Sequence, residues 1–156
     1  MRHRIRGAAV VVHDGRLLLA RHDDRKRGLS WWSPPGGGVE GEEDILASAV
    51  REAMEETSLR VVPDRPVYGQ ELIDRRRNTR TLELFVLCRL ADDVSPDDLL
   101  AANEIAEARW VDRVAAADLL ILPTVFASAF WDDLADGFPT FHHLGLKAIG
   151  EGGEPS

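Results

Sequence analysis

Apolar positions cluster into two short runs at the start of the chain, residues 5–13 and 16–22, both rich in Val, Ala and Leu and separated by Asp14-Gly15. Asp-Gly between two such runs is a two-residue turn signal, so the pattern predicts a β-hairpin. The pattern then breaks. Residues 23–42 contain Asp23-Asp24-Arg25-Lys26-Arg27-Gly28 and Pro34-Pro35-Gly36-Gly37-Gly38, too many charges and breakers for a regular element, and predict a long functional loop. Residues 43–57 hold neither Gly nor Pro, and Leu46, Val50, Ala53, Met54 and Thr57 recur at helical spacing, which predicts a helix with those residues on its core face. A short strand is expected at residues 59–62, ended by Pro63 and Pro66. Two longer strands follow at residues 67–74 and 81–90, joined by the basic tip Arg75-Arg76-Arg77-Asn78-Thr79-Arg80. After a loop at residues 95–98, residues 108–111 read as a last strand, with Asp112 capping a helix that reaches Leu120 and Thr124 capping another that reaches Asp136. Strands mixed with a central helix and terminal helices imply a layered α/β domain spanning residues 1–150, with a disordered tail at 151–156.

Composition narrows what such a domain does. The 156 residues are 44% hydrophobic and 29% charged, a globular balance. With 27 acidic residues against 19 basic ones the net charge is −8, which disfavours nonspecific attraction to nucleic acid or an anionic membrane. The one cysteine, Cys88, lies in an apolar run and offers neither a disulfide nor a zinc-ligand spacing. No apolar stretch approaches the ~20 residues that span a bilayer, and the first residues lack a secretory pattern, so a cytoplasmic protein is expected.

Chemistry enters on the predicted helix. At ~100° per residue, Glu52, Glu55 and Glu56 share an arc separate from the apolar one. Like charges at this spacing repel by a few tenths of a kcal/mol per pair, and a hard divalent cation, Mg²⁺ or Mn²⁺, would relieve them. An ordinary solvated glutamate stripe has the same spacing, so the surrounding residues decide between the two. Gly37, then Glu43, then Arg51-Glu52-Ala53-Met54-Glu55-Glu56-Thr57-Ser58-Leu59 resembles the Nudix box. Gly37, Glu43, Arg51, Glu52, Glu55 and Glu56 all match its fixed positions, a coincidence with odds on the order of 10⁻⁵ at average residue usage. Trp32-Ser33-Pro34-Pro35-Gly36-Gly37 resembles the segment that commonly precedes the box, and residues 104–111 the one that often follows it. One box position departs: Ser58 stands where the family usually has the Gly that ends the helix in a left-handed conformation, at a cost of about 1 kcal/mol.

The resemblance implies a Nudix-type α/β/α sandwich with a mixed β-sheet. It also implies hydrolysis of a phosphoanhydride bond in a nucleoside diphosphate linked to another moiety: a nucleotide sugar, ADP-ribose, a dinucleoside polyphosphate or a nucleoside triphosphate. It further implies that Glu52, Glu55 and Glu56 bind metal together with the Gly37 carbonyl, that Arg51 and Glu43 form a bracing pair, and that Glu104 or a box glutamate serves as base, with Glu107 second to Glu104. A monomer or homodimer acting on a small nucleotide is expected. The alternative is a nucleotide-sensing module that does not cut, which loss of box glutamates would mark. Arg25, Lys26 and Arg27, the tip arginines, Trp31 or Trp32, and His142 with His143 remain candidates for substrate contact, each with a plainer surface or core role.

Overall fold

The computed structural model describes residues 1–150, and the predicted tail at 151–156 lies outside the described residues. The first two strands, β1 (Arg2–His13) and β2 (Arg16–Asp24), form the predicted hairpin. Asp14 and Gly15 both adopt positive φ, 48° and 72°, as a type I′ turn requires. The predicted loop at 23–42 is more ordered than its composition suggests. It contains β3 (Leu29–Ser33), antiparallel to β2, and the three-residue β4 (Gly36–Gly38), antiparallel to β1. Strands that draw their stability from cross-strand pairing leave no local periodicity to read.

Helix α1 (Ile45–Thr57) starts two residues later than predicted because the Asp44 carboxylate caps it, accepting from the Ala47 N–H at 2.8 Å. The predicted short strand and its successor are one strand, β5 (Val61–Asp74), which runs through Pro63 and Pro66 with register shifts at both. The prolines fall where the β5/β6 register is irregular and before β8 begins to pair at Tyr68, positions where a strand tolerates missing N–H groups. Next come β6 (Thr79–Leu90) and β7 (Glu107–Val111). The C-terminal helices are shorter than predicted: α2 (Arg113–Ala116) ends well before Leu120, and Thr124 opens a 3-10 turn with no side-chain cap ahead of α3 (Phe130–Ala135). The edge strand β8 (His142–Ile149) was not predicted; Gly145 and a pair of exposed histidines mask its alternation.

The strands join in the order β3-β2-β1-β6-β5-β8, with β4 added to β1 and β7 to β2. Pairs β1/β6 and β5/β8 are parallel and the rest antiparallel, so the sheet is mixed, as expected of an α/β/α sandwich. Both faces are covered, and buried neighbours alternate between them. Ala9, Val11, Leu18, Val86 and Cys88 face α1, while Ala8, Val10, Leu17, Leu19 and Phe85 face a second core that holds Phe126, Phe130 and Trp131. Two-sided burial is why these strands read as continuous apolar runs. Among the described residues no helix is long and apolar enough to cross a membrane.

Candidate active site

The outer edge of β1 is shared between two partners, and this fork positions the site. At residues 6–8 it pairs with β4, and at residues 12–13 with β2. Helix α1 lies against β1 and β4 so closely that a Cβ at Gly7 would meet the Ile45 carbonyl and the Ser48 side chain. That closeness selects the buried face. Ser48, Ala49, Ala53, Glu56 and Thr57 face inward, whereas Met54, predicted for the core, is 41% exposed. The helix is therefore rotated from the predicted apolar arc, and the rotation separates the three glutamates. Glu55 is exposed, Glu52 is largely covered, and Glu56 is 5% exposed.

Glu56 Oε2 accepts the Gly36 N–H at 2.8 Å. Burial and the adjacent Glu52 carboxylate, which also shares a hydrogen bond with it, push the Glu56 carboxyl up to about 8. Glu52 rests on β4, since a Cβ at Gly37 would fall on its carboxylate. This is the close approach for which glycine is required. Arg51 is the hub on the solvent side. Its Nη2 donates to Glu43 Oε1 at 2.6 Å and to the Gly38 carbonyl at 3.0 Å, and its Nη1 donates to Glu52 Oε1 at 2.9 Å and to Glu55 Oε2 at 3.1 Å. Hydrogen bonding to Glu43, then to Glu52 and Glu55, holds the guanidinium well above its ordinary value, and the same pair holds Glu43 below its own. The bracing pair of Arg51 and Glu43 thus ties loop to helix. Among the described residues no three Asp, Glu, His or Cys side chains converge as a complete metal cage.

At the C-terminal end of α1, Ser58 takes the left-handed conformation, φ 65°, and its N–H donates to the Met54 carbonyl at 3.0 Å. Its hydroxyl partly offsets the strain by donating to the Leu100 carbonyl at 2.9 Å. Leu100 and Ala102 in turn donate to the carbonyls of Thr57 and Glu56, each at 3.0 Å, and so bring the 103–107 segment beside the helix end. There Glu104 is exposed and makes no hydrogen bond or ion pair with the described residues. Glu107 is occupied: Arg21 Nη1 and Arg109 Nη2 donate to its two oxygens at 2.8 and 3.0 Å.

The other sheet face carries a cavity of about 380 Å³ lined from β1, β2, β3, β5, β6, β8 and the loops between them. Arg4 and Arg6 enter from β1, Gln70 from β5, Glu83 and Phe85 from β6, Trp31 from β3, and Leu122 with Pro123 from the loop before α3. Trp31 stacks on His22 at 5.3 Å and 16°, while Trp32 is buried in the core under Arg109, whose guanidinium lies 4.8 Å from its ring. The two tryptophans thus take different roles. Glu83 is bound on both oxygens, by Arg6 Nε at 2.9 Å and Gln70 Nε2 at 3.0 Å, and Gln70 Oε1 is buried with no partner among the described residues. Burial, then the Arg6 charge, pulls His22 below its ordinary value. Of the tip arginines, Arg77 lines the cavity, while Arg76 is bound to the Gly150 carbonyl and Arg80 to Glu71. Arg25, Lys26 and Arg27 sit in the exposed β2–β3 turn, and His142 and His143 lie on β8 with Asp133 and Glu71, outside the cavity lining. Reading the sequence missed Gln70 and Glu83, because a polar residue inside an alternating strand carries no local signal of what it faces.

The model of the family described as NUDIX domain matches residues 1–127. The chain is 27% identical over 135 residues to the RNA pyrophosphohydrolase of Pelagibacter ubique (strain HTCC1062), covering 74% of this chain and 79% of that protein. It is 41% identical over 61 residues to m7GpppN-mRNA hydrolase NUDT17 of Danio rerio, a match to 37% of this chain that spans 20% of the length of that relative. Among solved structures, a NUDIX hydrolase from Nitrosomonas europaea superposes with a TM-score of 0.74 at 19% identity, over 95% of this chain and 80% of that one. An ADP-ribose pyrophosphatase from Streptococcus suis gives 0.59 at 22% identity, over 92% and 98%.

Proposed function

The chain belongs to the Nudix family, and from that premise we propose that it is a Mg²⁺-dependent pyrophosphohydrolase cutting a phosphoanhydride bond in a nucleoside diphosphate derivative. The observation that carries this reading is the pairing of Glu52 and Glu56 against the backbone of β4. Two carboxylates there share one buried position, and a glycine is needed for one of them to fit. Such a pair suits a hard cation, because clustered carboxylate oxygens are the donors Mg²⁺ or Mn²⁺ takes.

In this reading Glu52, Glu55 and Glu56, with the Gly37 carbonyl, would hold the ion. Arg51, bound to Glu43 and the Gly38 carbonyl, would keep loop and helix together beside it. Bound Mg²⁺ supplies charge neutralisation on the phosphate oxygens and lowers the pKa of a nearby water. Glu104, exposed and without a partner among the described residues in the segment beside the helix end, would accept a proton as the water oxygen bonds to phosphorus and the anhydride P–O bond breaks, the leaving phosphate carrying off the bond's electrons. Glu107 is excluded from that role by its two arginine partners. The substrate's organic moiety lies in the cavity on the far side of β1, against Trp31.

A screen for Mg²⁺-dependent release of phosphate or mononucleotide from nucleotide sugars, ADP-ribose, dinucleoside polyphosphates and nucleoside triphosphates tests the proposal. Turnover of at least one, abolished in Glu56→Gln, is the expected result. Tight binding of one nucleotide without turnover of any would instead mark a sensor.

A further inference from the structure

Arg4 and Arg6 are alternate residues of β1, so both side chains leave the same face of the sheet and line the same cavity. Their surroundings differ. Arg6 is neutralised by Glu83, and Glu56 and Glu52 lie close enough to add to the effect. Arg4, half-buried, makes no hydrogen bond or ion pair with any described residue. Arg6 and Arg77 line the same cavity, and their charges and that of Arg2 act on Arg4; of the carboxylates in the lining, Glu83 is bound to Arg6 and Gln70, and Asp74 faces Arg77. Among the described residues the Arg77 guanidinium pairs only with Asp74, at 3.8 Å. A half-buried guanidinium with no counter-ion of its own, set among other cations, is costly, and an anion bound beside it would relieve that cost.

Its position fixes which anion. The Arg4 guanidinium lies against Gly38, its Nη2 at 3.2 Å from the place a Cβ there would occupy. Gly38 adjoins Gly37, on which Glu52 rests. Successive residues of β4 face opposite ways, so Glu52 and Arg4 lie on its two faces, and because β4 pairs only with β1 its free edge is where a chain of phosphates held at Glu52 and Glu56 would pass round to Arg4. A sugar hydroxyl arriving there would leave the guanidinium charge uncompensated, whereas a phosphate oxygen pairs with it. We propose that Arg4 binds a phosphate beyond the two whose anhydride bond is cut, so that the substrate class is a nucleoside tri- or polyphosphate and not a nucleotide sugar or ADP-ribose. This rests on the catalytic reading above and narrows it.

The same group is presented by a free nucleotide and by a 5′-triphosphorylated RNA end, so both serve as probes. Values of kcat/KM are compared for ATP, a 5′-triphosphorylated trinucleotide, ADP-ribose and UDP-glucose in the unaltered enzyme, Arg4→Gln and Arg4→Lys. At least one triphosphate is expected to exceed both diphosphate esters by about tenfold or more. Arg4→Gln should remove most of that ratio through KM, and Arg4→Lys should restore part of it. The second arm needs no metal: calorimetry with inorganic tripolyphosphate and pyrophosphate should show a tripolyphosphate preference that Arg4→Gln removes. Preference of the unaltered enzyme for ADP-ribose or UDP-glucose, or an equal loss on all four substrates in Arg4→Gln, would overturn the proposal. If nothing is hydrolysed and no Mg²⁺ binds, the catalytic reading fails, and the tripolyphosphate titration still decides the role of Arg4.

Discussion

The two sides of this site are built from the chain in different ways. The carboxylate ledge is drawn from one stretch, Gly36 to Glu56, in which a short strand and the helix after it fold back on each other, and almost every polar contact is internal to that stretch. The cavity beyond β1 takes residues from segments dispersed between Arg4 and Ile149, brought together only by strand order. The ledge concentrates charge and is held by hydrogen bonds, whereas the cavity is formed by the general packing of the sheet. Substitutions on the ledge should therefore act sharply on catalysis, and those in the cavity should act on affinity and on pH response.

The largest effect is expected at Glu56. Glu56→Gln should lower kcat by about 10³-fold, the several kcal/mol that metal-assisted charge stabilisation supplies, measured as mononucleotide release. Thermal stability of the metal-free protein at neutral pH should not fall, since the Glu56 carboxyl, pushed up to about 8, is already largely neutral there and Gln keeps a donor toward Glu52. An unstable Glu56→Gln would assign the ledge a structural role. Next, Gly37→Ala forces Glu52 off β4 and should reduce kcat/KM by about 10²-fold in a protein that still folds. Arg51→Met leaves Glu43, Glu52 and Glu55 without their shared donor and should cost about 2 kcal/mol in denaturant unfolding, with Arg51→Lys a poor substitute for the forked guanidinium.

On the cavity side the expected effects are gentler. Because the folded-state value of His22 is depressed, its contribution is complete above the unfolded value near 6.5 and is lost as pH falls below it, when the unfolded chain takes up the proton first. Stability measured between pH 7 and 5 should decline, and His22→Gln should flatten that slope; an unchanged slope would separate the decline from His22. The smallest effect is at the helix end, where Ser58→Gly relieves the left-handed strain, loses the bond to the Leu100 carbonyl, and should stabilise by about 0.5 kcal/mol.

This difference in construction also explains what could be read in the sequence. The hairpin, the helix and the box residues were legible because turn chemistry, helical spacing and a fixed motif are all local. Ser58 was correctly assigned the left-handed position from the motif. The burial of Glu56 was not legible: its spacing matched that of Glu52 and Glu55, and only the close approach of α1 to Gly7 turns it inward. Strand β4 escaped notice because three glycines give no side-chain pattern, although it is this absence of side chains that admits the Glu52 carboxylate. The cavity escaped for a related reason. Gln70 and Glu83 meet through β5/β6 register, and Arg4 is distinguished from Arg6 only by what Glu83 binds.

The central claim is that the ledge binds a divalent cation through Glu52 and Glu56, and isothermal titration of the metal-free protein with Mn²⁺ and Mg²⁺ tests it most directly. The account predicts saturable binding by the unaltered chain that is lost when both residues are replaced in Glu52→Gln/Glu56→Gln, with the variant still folded by circular dichroism. Equal affinity in the folded double variant would contradict it.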